Sequence, residues 1–358
     1  MSKPRGIRVR HIFVELTNVC NFDCVFCPNE IMTRKRGFMP PELARKIIDE
    51  VAATGIAGRL TFHLMGEPML HPNWHEIIGY AAGKGLETAF STNASRADHE
   101  TLDKLFGLPI THIVLSLQTP TPETFGLRRA GKLTFDDYTA GIRRAVRKKF
   151  EKGSEVLLDL DLLNTSPFVR DAIALRGDIR AVESDQAAKA VVREWVAFAA
   201  EVNREFGLNF TPPANAQIER LSLRKDFCFE ILPRVHISTR KATTWANTFS
   251  SGKRIIPARI GGCSSLRDQC GILWNGELVL CCGDYDARTA LGNVREKPIA
   301  DILSGDYARR IRRNFALGIL THPYCRTCRG APSVRTLLIK QLGTLVVHNL
   351  RLYRWSNA

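Results

Sequence analysis

Apolar and polar positions switch between two periods along the first half of the chain. Val9 to Leu16 is rich in apolar and β-branched residues and predicts a strand. Pro40-Pro41-Glu42 then predicts a helix opening with proline and an acid in its first turn and running to about Ala53. Further strands are predicted over Arg59 to Met65, Leu86 to Ser91, His112 to Leu117 and Glu155 to Leu163. Helices are predicted between them over Asn73 to Gly83, Ala97 to Phe106 and, as a basic amphipathic segment, Phe135 to Lys152. Such alternation implies parallel strands with helices outside. From Thr165 to Ile260 the pattern blurs. Ala187 to Phe206 predicts a helix and Leu208 to Thr211 is the expected sixth strand, whereas 212–260 shows few clear elements.

With 358 residues, 44% apolar and 24% charged, the chain has room for one large globular domain and a small one. Lys3, Arg5, Arg8 and Arg10 make the start basic, but no apolar core follows, so no signal peptide is expected. No apolar run is long enough to span a bilayer. The expectation is a cytoplasmic protein, where clustered cysteines are more often metal ligands than disulfides. The net charge of +15 is uneven: ten Lys and Arg and no acid lie between Tyr307 and Ala358. Within that tail Leu337, Leu338, Leu342, Leu345, Val346 and Leu350 recur at helical spacing. Arg335, Lys340, Arg351, Arg354, Tyr353 and Trp355 accompany them, the composition of a basic amphipathic helix. Peripheral contact with an anionic membrane at the inner face, or attraction of a phosphate-bearing substrate, is one expectation. Packing on the body of the protein is the other.

The most specific chemistry lies just after the first strand. Cys20, Cys24 and Cys27 form a CxxxCxxC run in a loop opened by Thr17-Asn18. A structural zinc site takes four ligands. Three cysteines on a cubane iron–sulfur cluster leave one iron free. The loop also follows the carboxyl end of a strand, where α/β folds place their sites.

A second set of cysteines lies later. Asn275-Gly276 flanked by apolar residues predicts a hairpin that returns Cys281 towards Cys263, and Cys325-Arg326-Thr327-Cys328 adds a CxxC pair. Together they supply four ligands, enough to close one further 4Fe–4S cluster. Cys270 and Cys282 are near enough in sequence to replace Cys263 or Cys281, and Cys228 reads as a buried apolar residue.

The first run resembles the radical S-adenosylmethionine (SAM) superfamily, whose signature is CxxxCxΦC with Φ aromatic, here Phe26. The resemblance implies a partial (β/α)6 TIM-type barrel that holds a 4Fe–4S cluster and SAM. SAM is then split to methionine and a 5′-deoxyadenosyl radical, which takes a hydrogen atom from the substrate. Phe26 would pack near the adenine. Met65-Gly66-Glu67-Pro68 resembles the family's GGE-type motif, in which Glu67 would hold the SAM ammonium and Gly66 would admit the backbone. Ser91 and Asn93, with Ser116 and Gln118, end the third and fourth strands, where the family contacts the SAM ribose and carboxylate. A GxIxGxxE-like segment at the fifth strand is missing, and Asn164 stands in part of its place.

The second set resembles the SPASM or shorter twitch extension, a small C-terminal β-hairpin/helix domain that binds an auxiliary cluster. Gly276 and Cys281 fit its Gly-x4-Cys element and Leu291-Gly292-Asn293 its following turn. No cysteine follows Cys328, so one auxiliary 4Fe–4S cluster is expected. The resulting organisation is a radical SAM core over 1–211, a variable substrate-pocket element over 212–260, the cluster domain over 261–332 and the basic tail over 333–358.

These features point to an oxidoreductase acting on a small metabolite such as a sugar, cyclitol or nucleotide-sugar, served by a flavodoxin or ferredoxin-type reductant. Tyr285, Asp284 and His236 are candidate bases for the proton released. A peptide-modifying enzyme is the second reading, disfavoured because the first strand begins within about ten residues. A zinc-binding nucleic-acid module is the third. It fits the basic charge but explains neither the open three-cysteine run nor the strand-end motifs.

Overall fold

A computed structural model describes residues 8–251 and 254–349, with side chains to residue 343. The alternation seen in the sequence builds the expected architecture. Strands β1 (His11–Val14), β2 (Arg59–Thr61), β3 (Glu87–Thr92), β4 (His112–Leu115) and β5 (Leu157–Asn164) pair in parallel in that order. Helices Pro41–Thr54, Trp74–Gly83, His99–Phe106 and Phe135–Glu151 connect them. The first of these helices buries Leu43, Ala44, Ile47, Ile48 and Val51, one stripe at helical spacing. Gly55 ends it in the left-handed conformation that a side chain disfavours. Thr134 and Ser184 cap the starts of helices Phe135–Glu151 and Asp185–Glu205 by accepting backbone N–H groups.

The sixth parallel strand is not at 208–211, which is irregular. After β6 (Cys228–Leu232) the chain turns at Arg234 and returns as β7 (Val235–Lys241), which pairs in parallel with β5 over seven residues. The barrel sheet therefore continues into the stretch whose pattern was blurred. β7 is flanked by β5 and by β6, which covers its outer edge, and its His236, Ser238 and Arg240 alternate with Val235, Ile237 and Thr239 as a half-polar strand.

The other edge is closed by the C-terminal part. β8 (Gln269–Ile272) adds in parallel to β1, followed by antiparallel β9 (Glu277–Val279) and β10 (Gly292–Asn293). The full order is β10-β9-β8-β1-β2-β3-β4-β5-β7-β6. The Asn275-Gly276 turn is present but wider than a two-residue loop, because Leu273 donates to the Glu277 carbonyl and Gly276 to that of Leu273. Gly276 has φ +93°, a value that only glycine adopts easily.

Ile12, Val14, Leu60, Ile113, Leu115, Leu158 and Leu160 face the helices and form the main core. The opposite face of the same strands is unusually polar. His11, Arg59, His112, Asp159, Asp161 and Arg240 point into the barrel, where branched apolar side chains normally pack.

The C-terminal helix Val334–Asn349 is not amphipathic in the expected sense. Leu337 packs against the core, while Lys340 turns inward and donates to the Gly330 carbonyl. Val334, Leu338, Ile339 and Leu342 are instead exposed. The expected contributions of Leu345, Val346, Leu350, Arg351, Tyr353, Arg354 and Trp355 lie outside the described side chains. Among the described residues no helix is long and apolar enough to cross a membrane.

Candidate active site

The loop after β1 is held by its own polar residues. Thr17 donates to the Gly37 carbonyl at 2.7 Å, and the Asn18 amide bridges the Lys35 carbonyl and the Gly37 N–H. Arg36 donates to the Asn18 carbonyl and to Asn29. Arg34 makes a bidentate pair with Glu15 at 2.8 and 2.9 Å, in a place closed to solvent. These bonds fix a loop that would otherwise have no secondary structure of its own.

Cys20, Cys24 and Cys27 converge on this frame. Burial raises the Cys27 thiol most, and the neighbouring Cys24 and Cys20 raise it further, so the three sulfurs share one site. Cys20 is pushed up to about 12 by burial and then by the Glu67 carboxylate. Cys24 is raised by burial but is opposed by the Arg128 guanidinium. A single zinc ion would draw tetrahedral sulfurs to about 3.8 Å from one another. Among the described residues no three cysteine sulfurs lie mutually within 4.8 Å. Buried, mutually coupled and more widely set thiols fit a multi-iron cluster better than one ion.

The SAM-motif residues gather beside Cys20. At Gly66, with φ +74°, a Cβ would meet the Thr17 carbonyl at 2.4 Å and that of Val19 at 2.7 Å, so only glycine fits. Glu67 is buried, and its oxygens accept from Met69 N–H, the Thr92 hydroxyl and Asn93 N–H. Desolvation still raises its pKa against these bonds. The Asn93 amide donates to the Cys20 Sγ and to Asn21. Ser91 and Ser116 meet across β3 and β4 at 3.3 Å. Gln118 lies farther along and bonds Asp161. Phe26 packs with Val25 and Trp245, and Trp245 Nε1 donates to the Phe26 carbonyl. Asn164 does not replace the missing segment. It is fully buried, spanning the Leu223 carbonyl and the Ser166 N–H.

The second cysteine set also converges. Cys281 is raised by burial and then by Cys282, Cys263, Cys328 and Cys325. Burial raises Cys325, with Cys263 and Cys328 adding to it. Cys270 stands apart in β8, opposite Ile12 in register, and belongs to the apolar core. Cys282 is a neighbour of the set, but its other partners are Arg240 and Gln269, so it faces the barrel interior. Asn247 donates its amide to the carbonyls of Thr327, Cys328 and Gly330 and holds the CxxC turn. Lys340 and Arg329 lie close to Cys328 and lower its thiol against burial.

The two sets are docked to each other. Asp286 accepts from Thr33 N–H, the Thr33 hydroxyl and Arg34 N–H, and Arg34 Nε donates to the Tyr285 carbonyl. Gly37 lies directly under the Trp274 ring, where any Cβ would fall at 2.5 Å. Glu15 also accepts from Trp274 N–H.

The matches with known proteins follow this geometry. A model of the radical SAM superfamily matches residues 14–163, and a model of the SPASM iron–sulfur cluster-binding domain matches 263–329. The chain belongs to the radical SAM superfamily. It carries a SPASM-type iron–sulfur domain at its C-terminal side. A "S-adenosyl-L-methionine-dependent 2-deoxy-scyllo-inosamine dehydrogenase" of Niallia circulans is 38% identical over 69 residues, 19% of this chain and 28% of that protein. A "PqqA peptide cyclase" of Ruegeria pomeroyi is 32% identical over 125 residues, 34% of this chain and 32% of its own. The first curated relatives are matched over only 28–40% of their lengths. Streptococcus suis SuiB bound to SAM shares the fold, with a TM-score of 0.53 at 14% identity over 90% of this chain and 72% of that one. This radical SAM enzyme therefore uses SAM, a SAM-binding 4Fe–4S cluster and auxiliary iron–sulfur binding. When bound, a SAM-binding 4Fe–4S cluster would supply reductive cleavage of SAM to a hydrogen-abstracting radical.

Several residues invisible to spacing arguments complete the site of this radical SAM protein. Arg128 is buried, donating to the Thr119 hydroxyl, the Ser116 carbonyl and the Tyr138 hydroxyl. It lies over the Phe22, Phe26 and Tyr138 rings beside Cys24. Arg240 pairs with Asp161 at 3.2 Å, and His63 is pushed down to about 3 by burial and then by Arg240. Only the strand alternation at β5 and β7 signalled the Asp161–Arg240 pair.

The bases named from sequence fare differently. Asp284 is fully buried and spends its carboxylate on Thr289, Arg288 and Asp286 in its own turn. Tyr285 meets the Thr248 hydroxyl at 3.1 Å. His236 lies near the opposite end of its strand, in register with Asp159.

Proposed function

We propose that this enzyme oxidises a small polar metabolite of the sugar, cyclitol or nucleotide-sugar kind. The observation that carries the reading is the polar group of Gln118, Asp161, Arg240, His63 and Cys282. Gln118 lies two residues beyond Ser116 on the SAM side, whereas Cys282 adjoins Cys263 and Cys281 on the auxiliary side. Arg240 and Gln118 can hold hydroxyl, amine or phosphate groups of such a substrate. Asp161 is the proposed proton acceptor. Burial raises its pKa against the Arg240 charge, so it is poised to hold a proton at its carboxylate once substrate covers it.

We assign Cys20, Cys24 and Cys27 to the SAM-binding cluster and Cys263, Cys281, Cys325 and Cys328 to one auxiliary cluster. Phe26, Gly66, Glu67, Ser91, Asn93 and Ser116 are assigned to the SAM side, with the barrel unit extended to Lys241. The match to the 2-deoxy-scyllo-inosamine dehydrogenase over 69 residues supports an amino-cyclitol as the first substrate to try.

The test is an anaerobic assay with SAM, dithionite and a panel of amino-cyclitols, sugars and nucleotide-sugars. A carbonyl product forming in proportion to 5′-deoxyadenosine is expected. Asp161→Asn should keep SAM cleavage and lose product formation by about 100-fold or more. Turnover of a peptide, with none of the small molecules, would replace this reading by the peptide-modifying one.

We also propose peripheral contact with anionic membrane through the C-terminal helix. Val334, Leu338 and Leu342 form an exposed stripe at four-residue spacing in the acid-free, basic tail. The protein is expected to co-sediment with anionic vesicles at low salt and to leave zwitterionic ones. Equal indifference to both would remove the proposal.

A further inference from the structure

The lower half of the barrel contains a group of side chains that neither cysteine set uses. Asp159 in β5 and His236 in β7 are direct register partners, and Cys228 in β6 lies opposite Ser238. Three neighbouring strands thus present a carboxylate, an imidazole and a thiol on one face of the sheet. One ligand atom from each lies within 4.8 Å of the others.

The carboxylate is oriented from behind. Ser238 donates its hydroxyl to Asp159 Oδ1 at 3.2 Å, and His112 Nε2 is 3.4 Å from Asp159 Oδ2. Arg59 donates to His112 Nδ1 at 2.8 Å. A guanidinium can only donate, so the neutral His112 ring carries its proton on Nε2, facing Asp159. That Nε2 makes no hydrogen bond among the described residues, so the Ser238 hydroxyl is the group that orients the carboxylate, and His112 is not a ligand. This arrangement, a ligand oriented by a hydrogen-bonding partner, is how metal sites fix their ligands.

The charge at the site is unmatched by protein cations. Among the described residues no lysine or arginine lies within ion-pair distance of Asp159, whereas its neighbour Asp161 has Arg240. Glu230, the register partner of His236, adds a second carboxylate to this face.

We infer that Asp159, Cys228 and His236 form a binding site for a divalent cation of the zinc type. Mixed oxygen, sulfur and nitrogen donors suit zinc, and three protein ligands leave a further position for water or Glu230. Cys228 is exposed on β6, not buried as its sequence suggested, so the ion can enter from solvent without passing the cysteine clusters. The inference does not depend on the proposed substrate class.

The test uses the anaerobically reconstituted full chain, loaded with zinc ion, dialysed, and measured for zinc and iron together. One zinc per chain beyond the iron complement is expected. Its X-ray absorption edge should show one sulfur at about 2.3 Å and the remaining ligands as nitrogen or oxygen at about 2.0–2.2 Å. Cys228→Ser should remove the sulfur from that shell, and His236→Gln should release the zinc, both with iron unchanged. Ser238→Ala should weaken zinc about 10–100-fold, as losing a supporting residue does. No zinc retained by the wild-type chain would overturn the proposal. So would a shell of sulfur alone, or a shell that Cys228→Ser leaves unaltered. Normal iron content in each variant serves as the check that it has folded.

Discussion

Replacing Cys24 by alanine is expected to abolish formation of 5′-deoxyadenosine from SAM while leaving the second cysteine set filled. Iron should fall from about eight to about four per chain, two clusters to one. Cys24 is the middle member of the run, and the Arg128 guanidinium both bonds and faces its thiol, which supports a thiolate there against burial. Its loss leaves two sulfurs in the loop, too few to hold a cubane with one iron open. The second set shares no residue with the first, and its support comes from Asn247 and the CxxC turn. Iron and sulfide analysis, with the low-temperature electron paramagnetic resonance of the reduced protein, checks the outcome. SAM cleavage surviving in the variant would remove Cys24 from the site.

Arg128→Met is expected to leave that first site hard to reduce. Arg128 has no carboxylate within ion-pair distance among the described residues, and its neighbours are Cys24, three backbone or hydroxyl acceptors and three rings. A buried cation without an acid partner is costly unless another anion faces it. The anions at hand are the thiolates of the run, with the buried Glu67 carboxylate also in the field of Arg128. A unit charge about 6 Å away acts with roughly 2–3 kcal/mol at an effective dielectric constant of about 20. Converted at 59 mV per 1.4 kcal/mol for one electron, the midpoint potential should fall by on the order of 100 mV. The sign follows because a nearby positive charge favours the added electron. Arg128→Lys should recover part of the shift, since it restores the charge but not the planar fork. A redox titration followed by electron paramagnetic resonance distinguishes this from simple loss of packing. Destabilisation with an unchanged potential would show that Arg128 serves only the fold.

The two variants also separate the roles of loop and barrel. Cys24 belongs to a run whose spacing announces it, whereas Arg128 sits in a short turn after β4 with no motif around it. Arg128 reaches the cysteines because Thr119, Ser116 and Tyr138 aim it inward. The same contrast holds elsewhere. Gly66 and Glu67 were legible as a motif, and the structure adds why glycine is needed there, against the Thr17 and Val19 carbonyls. Glu67 proves to be a buried clamp on Thr92 and Asn93 as well as a neighbour of Cys20. Asn164, which stands in part of the place of the missing fifth-strand segment, is committed to backbone groups at Leu223 and Ser166.

By itself the sequence determined the parallel strand and helix alternation through β5, the open three-cysteine run and the presence of a second cysteine set. Each of these depends on residues within a few positions of one another, where hydrophobic period and ligand spacing act directly. Tertiary structure alone decided the rest. It placed the sixth strand at Val235–Lys241, because β7 is recognised by pairing with β5 and by a polar inner face, not by its own pattern. It set Cys270 in the core, because its position in β8 points to the face opposite the barrel interior, and placed Cys282 beside Arg240 and Gln269 in the turn after β9. It gathered Asp161 with Arg240, and Asp159 with His236 and Cys228, because register between strands far apart in sequence determines which side chains share a face.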